Sequence, residues 1–312
     1  MRTVSQRPSG SVLAADPLAR VAELPGIREA ADTARAAVDT LLRHRILRRQ
    51  SAEVTTEASL RAARACAALE GEDVALEFLR RHLTDSDDQA AGELSPVMLG
   101  TVRLYGELGV LAPAWERAPR QALARMHVLL GRGVLPDDVL GRPRADAGFG
   151  EATDPLRLGP PPTSVETSIR LDGLTGLLVA PTIAPAIVVA AVVHGELLAL
   201  RPFGALDGVI ARAASRLVLI SRGLDPKALT ATDVGHLEAG QDQPAGSGPA
   251  DGTAAAGAEP SPADAVLPYR EAADAYVHGG AEGVAAWVRH CARAMELAAR
   301  ESLAVCEALG RA

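Results

Sequence analysis

Residues 190–226 read AAVVHGELLALRPFGALDGVIARAASRLVLISRGLDP, and the reading of this stretch decides the fold. Ala190–Leu200 is apolar on nearly every side, which predicts a helix buried all round rather than a surface one. Pro202 and Gly204 break it. Asp207 stands where it would cap a second helix, with Gly208 in the first turn. That helix continues through Val209, Leu217, Leu219 and Ile220, and Gly223 sits where a C-cap glycine belongs, with Pro226 beyond. Two buried helices joined by a short loop aim backbone N–H groups at one point, so an anion site is expected there.

The same residues resemble the core of the Fic (Fido-fold) family, whose signature is H-P-F-x-[D/E]-G-N-G-R-x-x-R. Laid over it without gaps, RPFGALDGVIAR (201–212) keeps Pro202, Phe203, Gly208 and Arg212. Arg201 stands in place of the catalytic histidine, Ala205 in place of the metal-binding acid, Asp207 in place of the asparagine and Val209 in place of the first arginine. His194, seven residues before Arg201, and the apolar run 216–222 ending in Arg222-Gly223-Leu224 resemble the family's flanks. The resemblance implies an all-α domain. It places Phe203, Asp207, Gly208 and Arg212 in nucleotide or anion binding, Arg201 at the position of the catalytic base, and no metal ligand.

Working outward, Ser59–Glu70 reads as a helix with Gly71 as its terminator, and a further helix is expected to begin near Glu72 or Asp73. Cys66-Ala67-Ala68-Leu69-Glu70-Gly71 resembles the family's inhibitory motif, [S/T]-x-x-x-E-[G/N], with cysteine for the hydroxyl residue. In the family that glutamate pairs with the last arginine of the core motif, so Glu70 and Gly71 are the candidate inhibitory residues and Arg212 their expected partner. Pro119–Gly131 reads as a helix carrying His127 in a core-facing setting. Residues 140–162 stand where the family has a flap, a short β-hairpin, but contain few β-branched residues. Gly148-Phe149-Gly150 has no strand before it and no further glycine, so a dinucleotide fingerprint is rejected.

Ile27–Arg49, Leu94–Leu108, Ala228–Glu238 and Ala281–Leu309 also read as helical. Residues 1–25 are expected to be a poorly ordered tail, and the Gly/Ala/Pro/Ser/Asp-rich stretch 239–265 a disordered linker. The organisation read here is one helical domain over 26–312. It has an inhibitory-type helix at about 59–71, a core at about 163–238 and C-terminal helices over 266–312.

Composition narrows the function. The chain has 312 residues and a formal net charge of −7, a poor match to a phosphate backbone, so a nucleic-acid partner is not expected. Its three cysteines (Cys66, Cys291 and Cys306) have no C-x-x-C spacing, which argues against a disulfide framework or a zinc knuckle and for a reducing cytoplasm. The nearest thing to a membrane span, Leu174–Val193, is interrupted by Pro181 and Pro185, and no membrane partner is expected.

An intact Fic site moves AMP from ATP onto a protein hydroxyl, with histidine as base and an acid holding magnesium. Arginine stays protonated to above pH ~12 and takes no proton at neutrality. His194 lies two turns away, roughly 10 Å along a helix. Ala205 offers magnesium no oxygen, and Asp207 adds negative charge where a polyphosphate would lie. Arg201 and Asp207 are expected to lie close enough to pair. The reading is therefore a Fic-type pseudoenzyme that binds a protein partner, a nucleotide or another anion, with no cofactor assigned. The alternative is an active transferase, autoinhibited by Glu70 and using ATP with magnesium. The family often dimerises, which adds a homodimer to the candidate partners.

Overall fold

The computed structural model describes residues 16–84, 94–145, 152–240 and 266–311. Over these residues the chain is all-α. In order come α1 (Pro17–Val21), α2 (Ile27–Leu42), a 3-10 turn (Arg45–Arg48), α3 (Ser51–Leu69), α4 (Leu76–Thr84) and α5 (Pro96–Gly106). Then follow α6 (Leu108–Arg117), α7 (Pro119–Gly131), α8 (Ser164–Val179), α9 (Ala186–Leu200) and α10 (Asp207–Ser221). The last three are α11 (Thr232–Glu238), α12 (Tyr269–His278) and α13 (Gly280–Leu309). The described residues contain no strand, only an isolated bridge between Arg132 and Leu135. Residues 140–145 and 152–162 form no strand, in keeping with the scarcity of β-branched residues that made a flap hairpin doubtful there.

Helix α9 is the centre of the molecule. All but two of its fifteen residues, Ala186 and Glu196, are buried. That is what an apolar sequence without a polar stripe requires. It packs against α10, and α10 is buried over Asp207 and then Val209–Leu219. Trp287 of α13 donates from Nε1 to the Ala191 carbonyl at 2.8 Å, fixing the long C-terminal helix across α9. Gly195 permits the ring of Tyr276 to lie against the α9 backbone: a Cβ there would come within 2.7 Å of the ring. One apolar cluster runs from Leu18 to Cys306 and takes in residues on both sides of 241–265.

Several boundaries differ from expectation for physical reasons. The expected tail is structured from Asp16 onward. Its carboxylate caps α1 through Ala19 N (3.1 Å) and accepts from Thr182 Oγ1 (2.8 Å) and Ile183 N (2.9 Å), while Leu18 and Ala19 are buried. Residues 1–15 lie outside the described residues, as do the acidic stretch 85–93, Gly148-Phe149-Gly150 and 241–265. The first two residues of the expected linker belong to the fold: Ala239 is buried, and Gly240 lies against Pro268. The span Ile27–Arg49 is a helix and a 3-10 turn, broken at Arg43 and His44, with the His44 Nδ1 accepting from Ile46 N. Helix α3 begins eight residues earlier than expected, at Ser51, α4 begins only at Leu76, and α11 only at Thr232. The ends of α3 and α10 follow the sequence: Gly71 and Gly223 are left-handed (φ 92° and 73°), just beyond the C-caps Glu70 and Arg222. No helix among the described residues is long and apolar enough to cross a membrane.

Candidate functional site

The loop between α9 and α10 turns tightly. Arg201, Gly204 and Leu206 all have left-handed backbones, with φ of 43°, 80° and 62°. Two of these are not glycine, which costs about 1–2 kcal/mol each. Leu206 occupies the place of the first glycine in the Fic signature, and its backbone is left-handed, a conformation glycine adopts at no steric cost.

Asp207 does not cap α10. It is the first residue of that helix, and its Oδ1 turns back to accept from Phe203 N at 3.0 Å, tying the loop across its own base. Burial pushes its carboxyl up to about 7, against the opposing pull of the Phe203 and Gly204 N–H groups and the charges of Arg201 and Arg144. Phe203 is buried and stacks on His127, with ring centroids 4.3 Å apart. The His127 Nδ1 accepts from Gly141 N at 2.9 Å, and burial pulls its pKa down to about 4.

Arg212, one turn into α10, is 1% exposed and fully engaged. Its Nη2 donates to Glu70 Oε1 at 2.5 Å and to the Cys66 carbonyl at 3.2 Å. Its Nε donates to Cys66 Sγ at 3.1 Å, and its Nη1 to the Tyr269 hydroxyl at 3.2 Å. Asp233 stands 3.7 Å from its Nε and accepts from the Tyr105 hydroxyl at 2.6 Å. Burial raises the Cys66 thiol to about 12, so the cysteine meets the guanidinium as a neutral acceptor. Gly208 is what lets Glu70 in: a Cβ there would lie 2.2 Å from Glu70 Oε1. Glu70, Gly208 and Arg212 are thus brought together, as the resemblance implied. Gly71 contributes the left-handed turn that ends α3 beside them.

Arg201 goes elsewhere. It does not pair with Asp207, the expected partner, whose carboxylate is committed to the loop backbone. Its Nη1 lies 3.4 Å from Asp154 Oδ2, and its Nη2 donates to the Gly159 carbonyl. Its Nε is buried without a hydrogen-bond partner among the described residues, as is Asp207 Oδ2. Asp154 belongs to a strap without helix or strand, residues 152–159, laid over the loop with Thr153 N donating to the Gly204 carbonyl at 2.9 Å. Arg144 clamps the same loop from N to the Pro202 carbonyl (2.8 Å) and from Nε to the Arg201 carbonyl (2.9 Å).

Between strap, α3 and loop lies a cavity of about 20 Å³, lined by Glu70, Asp154, Leu156, Arg201, Asp207 and Gly208 among others. That is room for about one water, which needs roughly 10–15 Å³, against ~300–1,000 Å³ for a small-molecule site. In this arrangement the residues do not fit ATP with magnesium. The cavity is too small, three carboxylates face it, and no group of His, Cys, Asp and Glu suited to a metal occurs among the described residues. Sequence reasoning missed Asp154, Arg144 and Asp233. The first two lie in a Gly/Pro-rich stretch without periodicity, and Asp233 reads as an ordinary helix-start acid until Tyr105 and Arg212 are seen beside it.

A Fic family protein from Desulfovibrio desulfuricans G20 superposes with a TM-score of 0.60 over 88% of this chain and 74% of its own, at 17% sequence identity. The fold is Fic-like. No family model matches the sequence, and no curated protein matches it. At this identity the comparison speaks for the Fic-like fold alone, and the roles of Arg201, Arg212 and Glu70 rest on the geometry above.

Proposed function

We propose that this Fic-like chain is a pseudoenzyme: it binds an anionic ligand or a protein partner at the 201–212 loop and does not transfer AMP. The observation that carries the reading is Arg201. The side chain at the base's position is a guanidinium engaged with Asp154 and Gly159, and it cannot accept a proton from a hydroxyl. Removal of a positioned base alone costs roughly 10²–10⁴-fold. Ala205 and Val209 remove the metal-binding acid and one phosphate-neutralising arginine besides. What remains suits binding: Arg201 at the loop corner lines one cavity with Gly208 in the first turn of α10, and Arg212 lies just beyond, paired with Glu70.

One observation favours the alternative of a transferase held inactive. The Glu70–Arg212 pair at 2.5 Å, admitted by Gly208, is the contact expected of an inhibitory glutamate. Incubation of the full chain with labelled ATP and magnesium, as wild type, Glu70→Gly and Arg201→His, separates the two. The pseudoenzyme reading expects no label on itself or on added protein in any of the three. Labelling by Glu70→Gly that exceeds wild type would establish the transferase instead.

A further inference from the structure

We propose that the 152–159 strap is a second internal latch on this site: Asp154 stands in for a phosphate-bearing ligand, and the site opens only when Asp154 and Glu70 both leave. This rests on the reading that the loop binds anions.

Two carboxylates on different segments line one cavity. Glu70, at the C-cap of α3, takes Arg212 at 2.5 Å. Asp154, on the strap, takes Arg201 at 3.4 Å. Both line the same cavity with Arg201 and Gly208, so neither departure alone clears it. Asp154 also shapes the strap, since its two oxygens accept from Leu158 N and Gly159 N, each at 2.9 Å. One carboxylate therefore folds the strap and neutralises the arginine it covers.

The strap is anchored at its far end, where Leu156 and Leu158 are buried in the main apolar cluster, and lightly held at Thr153 and Asp154, the end that covers Arg201. Only one backbone hydrogen bond, Thr153 N to the Gly204 carbonyl, ties it to the loop among the described contacts. Side chains add the Asp154–Arg201 ion pair, Thr153 Oγ1 to the Gly204 carbonyl at 3.4 Å, Arg201 to the Gly159 carbonyl, Arg270 Nε to the Leu156 carbonyl at 3.0 Å, and His278 Nε2 to the Leu158 carbonyl at 3.1 Å. Arg157 and Gly159 both hold left-handed backbones (φ 57° and 85°), a conformation the arginine keeps only while its surroundings impose it. Arg201 is not saturated by the strap, because its buried Nε is left over. A tetrahedral phosphate, with more acceptor oxygens than a carboxylate, supplies what Asp154 does not.

The test is calorimetric titration of the full chain with ATP and, separately, inorganic triphosphate, both without metal. The proteins are wild type, Glu70→Gly, Asp154→Ala and the double variant, with circular dichroism to verify folding. If the alanine double variant unfolds, Glu70→Gly with Asp154→Asn replaces it, since asparagine keeps one acceptor for the strap turn. The expected result is binding by the double variant at least about 100-fold tighter than by either single variant, lost again on Arg201→Ala, with triphosphate within about tenfold of ATP. Glu70→Gly alone binding as tightly as the double variant overturns the latch and leaves the anion site standing. A folded double variant that binds neither probe, with the Thr153 amide exchanging freely, overturns the anion site itself. Binding of ATP without triphosphate overturns the assignment to phosphate.

Discussion

Arg201, at the start of the loop, and Arg212, one turn into the helix that follows it, differ in almost everything but residue type. Arg212 sits on a helix, 1% exposed, with partners on every nitrogen drawn from α3 and α12 and with Asp233 of α11 beside it. Arg201 sits at a left-handed corner, 3.4 Å from one carboxylate of an irregular strap, with one nitrogen unpartnered. The first belongs to the scaffold, where regular elements saturate a buried charge. The second stands where the signature has its base, and its contacts are improvised from a segment without secondary structure. The comparison teaches that one site can hold two buried arginines by different means, one saturated by regular helices and the other by a segment without secondary structure.

The sharpest break of that contrast is Arg212→Ala. Removing the buried guanidinium strands Glu70 and Asp233, and the cost is expected at about 3–5 kcal/mol in urea unfolding. A loss below about 1 kcal/mol would make Arg212 no more structural than Arg201.

Acid should act next, and on the Arg212 side. His194 pairs its Nε2 with the Tyr269 hydroxyl at 2.9 Å, and His236 and His290 lie beyond it. Burial holds His194 and His236 well below the ordinary range and His290 at about 4, as it does His127 on the loop side. A histidine whose folded pKa is depressed contributes stability that is complete above its unfolded value, about 6.5, and is lost as pH falls toward the folded value. Asp207 and Asp233, whose pKa values are raised, act in the opposite sense, their contribution being lost as pH rises. Four histidines against two acids predict a falling urea midpoint from pH 6.5 to pH 4. A midpoint that rises over that window contradicts the burial of neutral histidines behind Arg212.

Gly208→Ala isolates Glu70. The added Cβ meets the end of a side chain, so the carboxylate moves and its charged hydrogen bond to Arg212 is lost, at roughly 1.5–3 kcal/mol. In a Glu70→Ala background the same change should cost nothing measurable. An equal cost in both backgrounds would mean that Gly208 serves the helix and not the glutamate.

Asp154→Asn is expected to be the mildest: the strap turn keeps an acceptor and only a long, partly exposed ion pair weakens, so less than about 1 kcal/mol is lost. A loss as large as that of Arg212→Ala would erase the difference between the two arginines.

The sequence made the scaffold legible because its signals are local and strong. The unbroken apolar run of α9, the glycines at 71 and 223 and the E-G at the end of α3 each state a backbone requirement that the structure meets. Arg201 lies close to Asp207, as expected, but takes Asp154 as its partner, which depends on the segment that crosses the loop, while Asp207 turns to Phe203 N of its own loop instead of capping α10. Nothing in the periodicity of 140–162 says that Asp154 arrives there or that Arg144 clamps the loop. The tail was cut too late by ten residues because Asp16 is held by Thr182 and Ile183, contacts more than 160 residues apart in sequence.

The most direct test of the central claim, that this site is filled from within, is calorimetric titration of ATP with magnesium into the wild-type chain. A cavity of about 20 Å³ guarded by Glu70 and Asp154 predicts no saturable binding of a ligand the size of ATP at micromolar concentration while both carboxylates are in place. Saturable binding at micromolar ATP would contradict it and show that the site stands open in solution.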